Sequence, residues 1–136
     1  MSQLPCTLEA LVVRTDFSAD GEWDALRASL SSPSKDGFLA NVAVVDNRRY
    51  EGLTSDQALY LIPAEYQHPL LVLADSAALA STERPLLVLD LQGERERGVR
   101  VVAAQLWSIE NNLSGANMDF EEFAGAVDED GVFRGF

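Results

Sequence analysis

Four apolar runs of this chain close on an aspartate: Arg14-Thr15-Asp16, Val44-Val45-Asp46, Leu73-Ala74-Asp75 and Leu89-Asp90-Leu91. In an open α/β sheet the strand carboxyl ends share one edge, and ligands bind there at the point where the strand order reverses. Two or three carboxylates converging on that edge supply hard oxygen ligands of the kind Mg²⁺ takes. Asp16 with Asp20 is the natural metal pair. A small-molecule or metal site there would centre on Asp16 and Asp75, with Glu110 or Asn111 nearby. The commoner use of the same residues is structural, since an aspartate after a strand accepts from N–H groups just downstream and caps the next helix. Asp90 is the weakest of the four because Leu91 carries its run further.

A second group is Trp107-Ser-Ile-Glu110-Asn111-Asn112, followed by Asn117 and Asp119. Adjacent asparagines are poor helix-interior residues, because their amides compete for backbone hydrogen bonds. Three-to-four spacing places Glu110 and Asn111 near Leu106 and Trp107. Trp107, Glu110, Asn111, Asn112 and Asn117 are therefore candidate binding residues, and side-chain bonds that hold a loop are the commoner reading of their amides.

The usual catalytic sets fail on residue type. One histidine, His68, leaves no His-rich zinc site, and its place before Pro69 at a strand entrance reads as a loop residue. A Cys6–His68 nucleophile pair exists only formally, with Cys6 beside Pro5 in the amino-terminal segment. GxSxG, GxGxxG and GxxxxGK[ST] are all absent, which removes the sequence support for hydrolase, dinucleotide and P-loop readings. The basic groups are Arg48-Arg49 and Arg95/Arg97/Arg100, the latter diluted by Glu94 and Glu96. They read as solvated turns more readily than as a phosphate site.

These residues need elements to hold them. Leu8 to Val13, Phe38 to Val45, Pro69 to Asp75, Pro85 to Leu91 and Val99 to Ala103 are short, apolar and rich in branched residues, the pattern of buried strands. Trp23, Leu26 and Leu30 share one helix face, with Ser18 or Asp20 as its cap. Thr54 to Gln57 has capping-box form with Leu53 as a staple to Ala58, and Pro63 stops that short helix. Asp119 to Glu122 repeats the box, with Met118 placed on Phe123. Leu106, Ile109 and Leu113 mark another helix, ended at Ser114-Gly115. A final helix places Phe120, Phe123, Ala124 and Val127 on one face, and Phe133 or Phe136 in the tail docks on the core. The order predicts one α/β domain over residues 1–136, with a mixed, mostly parallel sheet of about five strands. The segment Ser76 to Arg84 is short for a crossover, so the relative direction of the third and fourth strands stays open. The short link after the fourth favours an antiparallel hairpin with the fifth.

Length and charge bound the function. One domain's worth of residues, 136 in all, carries a formal charge of −12, a field that repels nucleic acid and anionic membranes. Residues 104–136 alone hold a net −6, which suits a protein partner with a basic surface met through fast, salt-sensitive association. A solvated helix surface is the plainer account of the same charge. A single cysteine, no secretory signal and no long apolar run predict a cytoplasmic protein. Nine arginines against one lysine suggest a GC-rich bacterial source.

The segments LVVRTDFS (11–18), DGFLANV (36–42), YEGL (50–53), LWSIENNLSGANMDFEEF (106–123) and DGVFRGF (130–136) resemble a family of small acidic bacterial, actinobacterial-type proteins of unknown function. The resemblance spans nearly the whole chain and implies a stand-alone domain, with no residue roles to carry over. The expected function is a non-enzymatic protein-binding or regulatory module, an immunity-type inhibitor of a basic toxin being one version by analogy of charge. The alternative is a small-molecule or Mg²⁺ site at the strand ends. A structural subunit of a larger assembly would need an exposed apolar patch.

Overall fold

A computed structural model describes residues 3–93 and 97–136. The expected cluster member Arg95, with Glu94 and Glu96, lies outside the described residues. The strands are β1 (Ala10–Arg14), β2 (Val42–Val45), β3 (Leu70–Ala74), β4 (Pro85–Asp90), β5 (Gly98–Val102) and β6 (Val132–Phe133). The helices are α1 (Asp20–Leu30), α2 (Ser55–Tyr60), α3 (Ser76–Ala80), α4 (Leu106–Ser114) and α5 (Phe120–Ala124). The strands form one mixed sheet in the order β2-β1-β3-β4-β5-β6. β1 runs parallel to β2 and β3, β4 is antiparallel to β3 and β5, and β6 is parallel to β5. The expected mixed, mostly parallel α/β sheet is therefore present, with the docked tail as a sixth strand.

Alternation along the strands sorts the apolar residues onto two faces. Val12, Val72, Val88 and Val101 pack with Trp23 and Leu26 of α1, Ile109 of α4, Phe123 of α5 and Phe133. Leu11, Val13, Leu71, Leu73 and Leu89 pack with Leu4, Leu53, Ala58, Leu61 and Tyr66. β1 and β3 are buried along their whole length, as continuous apolar runs in a sheet covered on both sides should be. The five-residue α3 cannot carry the chain over the sheet, so β4 turns back against β3. That settles the open direction.

Several boundaries move for local reasons. Neither Ser18 nor Asp20 caps α1. Its N-cap is Ala19, which forms no side-chain bond. Ser18 N–H instead donates to Asp16 and Asp20 accepts from Arg14. The stretch from Phe38 to Asn41 is not strand. Ser34 and Phe38 close a small loop, with Ser34 N–H donating to Phe38 O and Phe38 N–H to Ser34 Oγ, around Gly37 at φ +86°. The Thr54–Gln57 box forms in both directions, at 3.0 and 3.2 Å. Glu122 accepts from Asp119 N–H at 2.8 Å. α5 stops at Ala124, so Val127 packs on the core from beyond the helix. Phe133 is fully buried against Phe123, while Phe136 touches both rings from the surface.

Candidate functional site

The strand ends come first, because the sheet order tests them directly. Asp16, Asp46 and Asp75 follow three parallel strands and do share one edge. Asp90 ends an antiparallel strand and lies at the opposite edge, bonded to Arg97 and to the Gln92 and Gly93 N–H groups. α1 and α2 pack on opposite faces, so the order reverses between β1 and β3. An open crevice of about 360 Å³ sits there, lined by Thr15, Asp16, Glu51, Gly52, Leu53, Asp75 and Ser76.

Its carboxylates are largely spent on the chain itself. Asp75 caps α3 through Ala78 N–H and takes a two-pronged bond from Arg100 at 2.7 and 2.8 Å. Arg14, 4% exposed, donates to Asp20 and Asp46 and to the Asp16 carbonyl, with its guanidinium between the Phe17 and Trp23 rings. Asp46 also accepts from Trp23 Nε1. The hydroxyl and N–H of Ser18 hold the Asp16 carboxyl below its ordinary range. The cation at this edge is thus arginine. Asp16 and Asp20 turn to different partners, and among the described residues no three His, Cys, Asp or Glu side chains group as metal ligands.

The α4 cluster is at the other edge of the sheet, so Glu110 and Asn111 do not flank Asp16 and Asp75. Spacing puts Glu110 on the same helix face as Leu106 and Leu113, which buries a carboxylate. Its Oε1 accepts from Asn41 N–H at 2.7 Å and from Asn111 Nδ2 at 3.0 Å. Its Oε2 lies 3.0 Å from His68 Nε2. His68 Nδ1 accepts from Leu70 N–H, so the ring proton is on Nε2 and points at Glu110. Burial pushes the Glu110 carboxyl up, but the bonds from His68 and Asn41 outweigh it and leave the group below its ordinary value. Both nitrogens of His68 are engaged, which leaves none to activate Cys6. His68 lies in the loop before β3, as expected, but it is buried there and acts as a strut.

These bonds pin the segment between α1 and β2. Asn111 Nδ2 donates to Leu39 O at 3.0 Å, and the Trp107 ring stacks on Phe38 at 4.8 Å and 11°. Phe38 and Leu39 are nevertheless 48% and 42% exposed. Beside them opens a cavity of about 590 Å³ lined by Ser29, Ser32, Pro33, Lys35, Gln105 and Trp107, among others. Asn112 and Asn117 take no part. Within α4, Asn112 Nδ2 donates to Ser108 O, and the Asn112 main-chain carbonyl accepts from Asn117 N–H to close the turn that follows the helix. Phe38 and Leu39 were missed as site residues because an apolar pair ahead of a strand reads as more strand. The signal was Gly37 and the serine-rich loop before them.

A family model described as a domain of unknown function (DUF6924) matches residues 9–136, and the chain belongs to that family. No curated protein matches it.

Proposed function

We propose that this domain is a non-enzymatic, cytoplasmic protein-binding module that docks a partner on the Phe38–Leu39–Trp107 patch. The supporting observation is the pinning. Ordering a loop costs about 1–2 kcal/mol per residue in backbone entropy, and here a buried carboxylate, an amide and a stacked ring hold two hydrophobic side chains facing water. A surface fixed before binding spares the partner that ordering cost. Aromatic anchors at the centre of a patch carry most of the energy in such contacts. The net charge of −12 favours a basic partner, an immunity-type inhibitor of a basic toxin among the possible cases. The test is capture from an extract of the source cells by the intact chain and by the Phe38→Ser/Leu39→Ser double variant. The reading expects a basic protein held by the first, released by salt and lost from the second. Equal retention by both overturns it.

A second reading rests on the crevice between β1 and β3, where topology favours a ligand. Thr15, Asp16, Glu51, Asp75 and Ser76 would take a small cationic molecule or Mg²⁺. A melting temperature unmoved by Mg²⁺ and by small amines removes it.

A further inference from the structure

We infer that the partner docks by adding a strand to β2, and that the added segment is extended and basic. The inference rests on the protein-binding reading and supplies its geometry. Among the described residues β2 is an edge of the sheet, bonded to β1 alone. In a parallel pair, alternate residues turn both N–H and C=O towards the same neighbour. Ala10 N–H donates to Asn41 O at 3.0 Å, which assigns Asn41, Ala43 and Val45 to β1. Val42 and Val44 therefore direct their backbone groups outwards, and among the described residues they bond to nothing beyond β1.

Open edges are normally blunted by charge, proline, shortness or cover. The far edge follows that rule: β6 has two residues and is followed by Arg134, which is bonded to Glu83, Asp128 and Asp130. β2 has four residues, Val-Ala-Val-Val, with no charge and no proline, each half-buried. It begins three residues after the displayed Leu39, so an incoming strand would reach the apolar patch along the same line. Strand addition takes affinity from main-chain bonds and specificity from side chains at alternate positions. The occupant is argued from charge. Two copies would each bring −12 to a shared edge, whereas a basic segment is attracted to it. Of the two arginines just beyond β2, Arg48 is paired with Glu51 and lies over Phe17, and the exposed Arg49 is one local charge against a surplus of twelve.

The probe is a ten-residue peptide of alternating arginine and valine, with alternating glutamate and valine as control. Amide exchange at Val42 and Val44 in the intact chain should slow about tenfold on adding the basic peptide and stay unchanged with the acidic one. Val44→Pro removes an outward N–H and spares the β1 ladder, as proline on an open edge does, so it should weaken peptide binding about tenfold. Exchange at Val42 and Val44 that ignores the basic peptide overturns the inference, as does equal binding by Val44→Pro. A dimer formed through β2 without peptide also overturns it. If the captured partner is lost from Phe38→Ser/Leu39→Ser but kept by Val44→Pro, the patch stands and strand addition fails.

Discussion

Glu110 is the residue on which the patch depends, and its chemistry fixes what a substitution does. Three N–H donors converge on its carboxylate. Glu110→Gln keeps the shape but offers one oxygen. If its NH₂ faces His68, either Nε2–H is orphaned or the ring switches tautomer and orphans Leu70 N–H. The expected loss is about 2 kcal/mol at neutral pH, read from urea unfolding. Because the folded carboxyl lies below its ordinary value of 4.5, its contribution is present above that value and fades as pH falls through the folded one. The gap between wild type and Glu110→Gln should therefore close in acid, and a constant gap contradicts the assignment. Trp107 makes the opposite case. Its indole N–H is buried and finds no partner among the described residues, so Trp107→Phe keeps the stack and removes an unsatisfied donor. Thermal unfolding should show stability unchanged or raised by about 1 kcal/mol, and a large loss would mean that the N–H has a partner. Tyr66 adds a spectroscopic check. Burial, opposed by the Leu11 N–H that it accepts, pushes its phenol up to about 12, so one of the three tyrosines should titrate at that pH in ultraviolet absorbance. Little of this was legible from spacing. Trp107, Glu110 and Asn111 stood out as a group, but their partners Phe38, His68 and Leu39 lie far away in the chain.

At the scale of elements, signals confined to a few residues were the most readable. The Thr54 box was visible because capping needs only two residues three apart, and Thr54→Ala should cost about 1 kcal/mol in urea unfolding. No loss would mean that α2 is held by Ala58 and Leu61 packing alone. α4 ends where Ser114-Gly115 said it would. Boundaries set by distant contacts were not readable. Phe38 to Val45 looks like one strand, yet only Val42–Val45 pairs with β1, because Glu110 and Asn111 take the backbone at Asn41 and Leu39. Asp20 looked like a cap and became a counterion for Arg14. A charged residue at the end of a buried strand needs a partner, and Arg14 at the end of Leu11-Val-Val was the sequence's hint of one.

For the molecule as a whole, the strand pattern yielded the class of sheet and the shared edge of Asp16, Asp46 and Asp75, while charge was the harder quantity to place. The −6 of residues 104–136 looked like an acidic face. Part of it is internal: Glu110 is buried on His68, Glu121 meets Arg97, and Asp128 and Asp130 share Arg134. Asp119, Glu122 and Glu129 carry what remains of it. Two effects of salt then oppose each other. Screening weakens the arginine pairs, which lowers stability, and relieves repulsion among the surplus acids, which raises it. Exposed pairs contribute about 0–1 kcal/mol each, and the two that join a buried arginine to an exposed carboxylate, Arg84–Glu22 at 2.6 Å and Arg14–Asp20 at 2.7 Å, are screened less. The surplus of twelve negative charges should prevail. Raising KCl from about 10 mM to about 300 mM, across which the Debye length shrinks from about 30 Å to well under 10 Å, should therefore raise the melting temperature. Capture of a basic partner should weaken over the same range, because the field that attracts it is the one being screened. If the melting temperature falls instead, the arginine network outweighs the repulsion, and the surplus charge is not what singles out a basic partner.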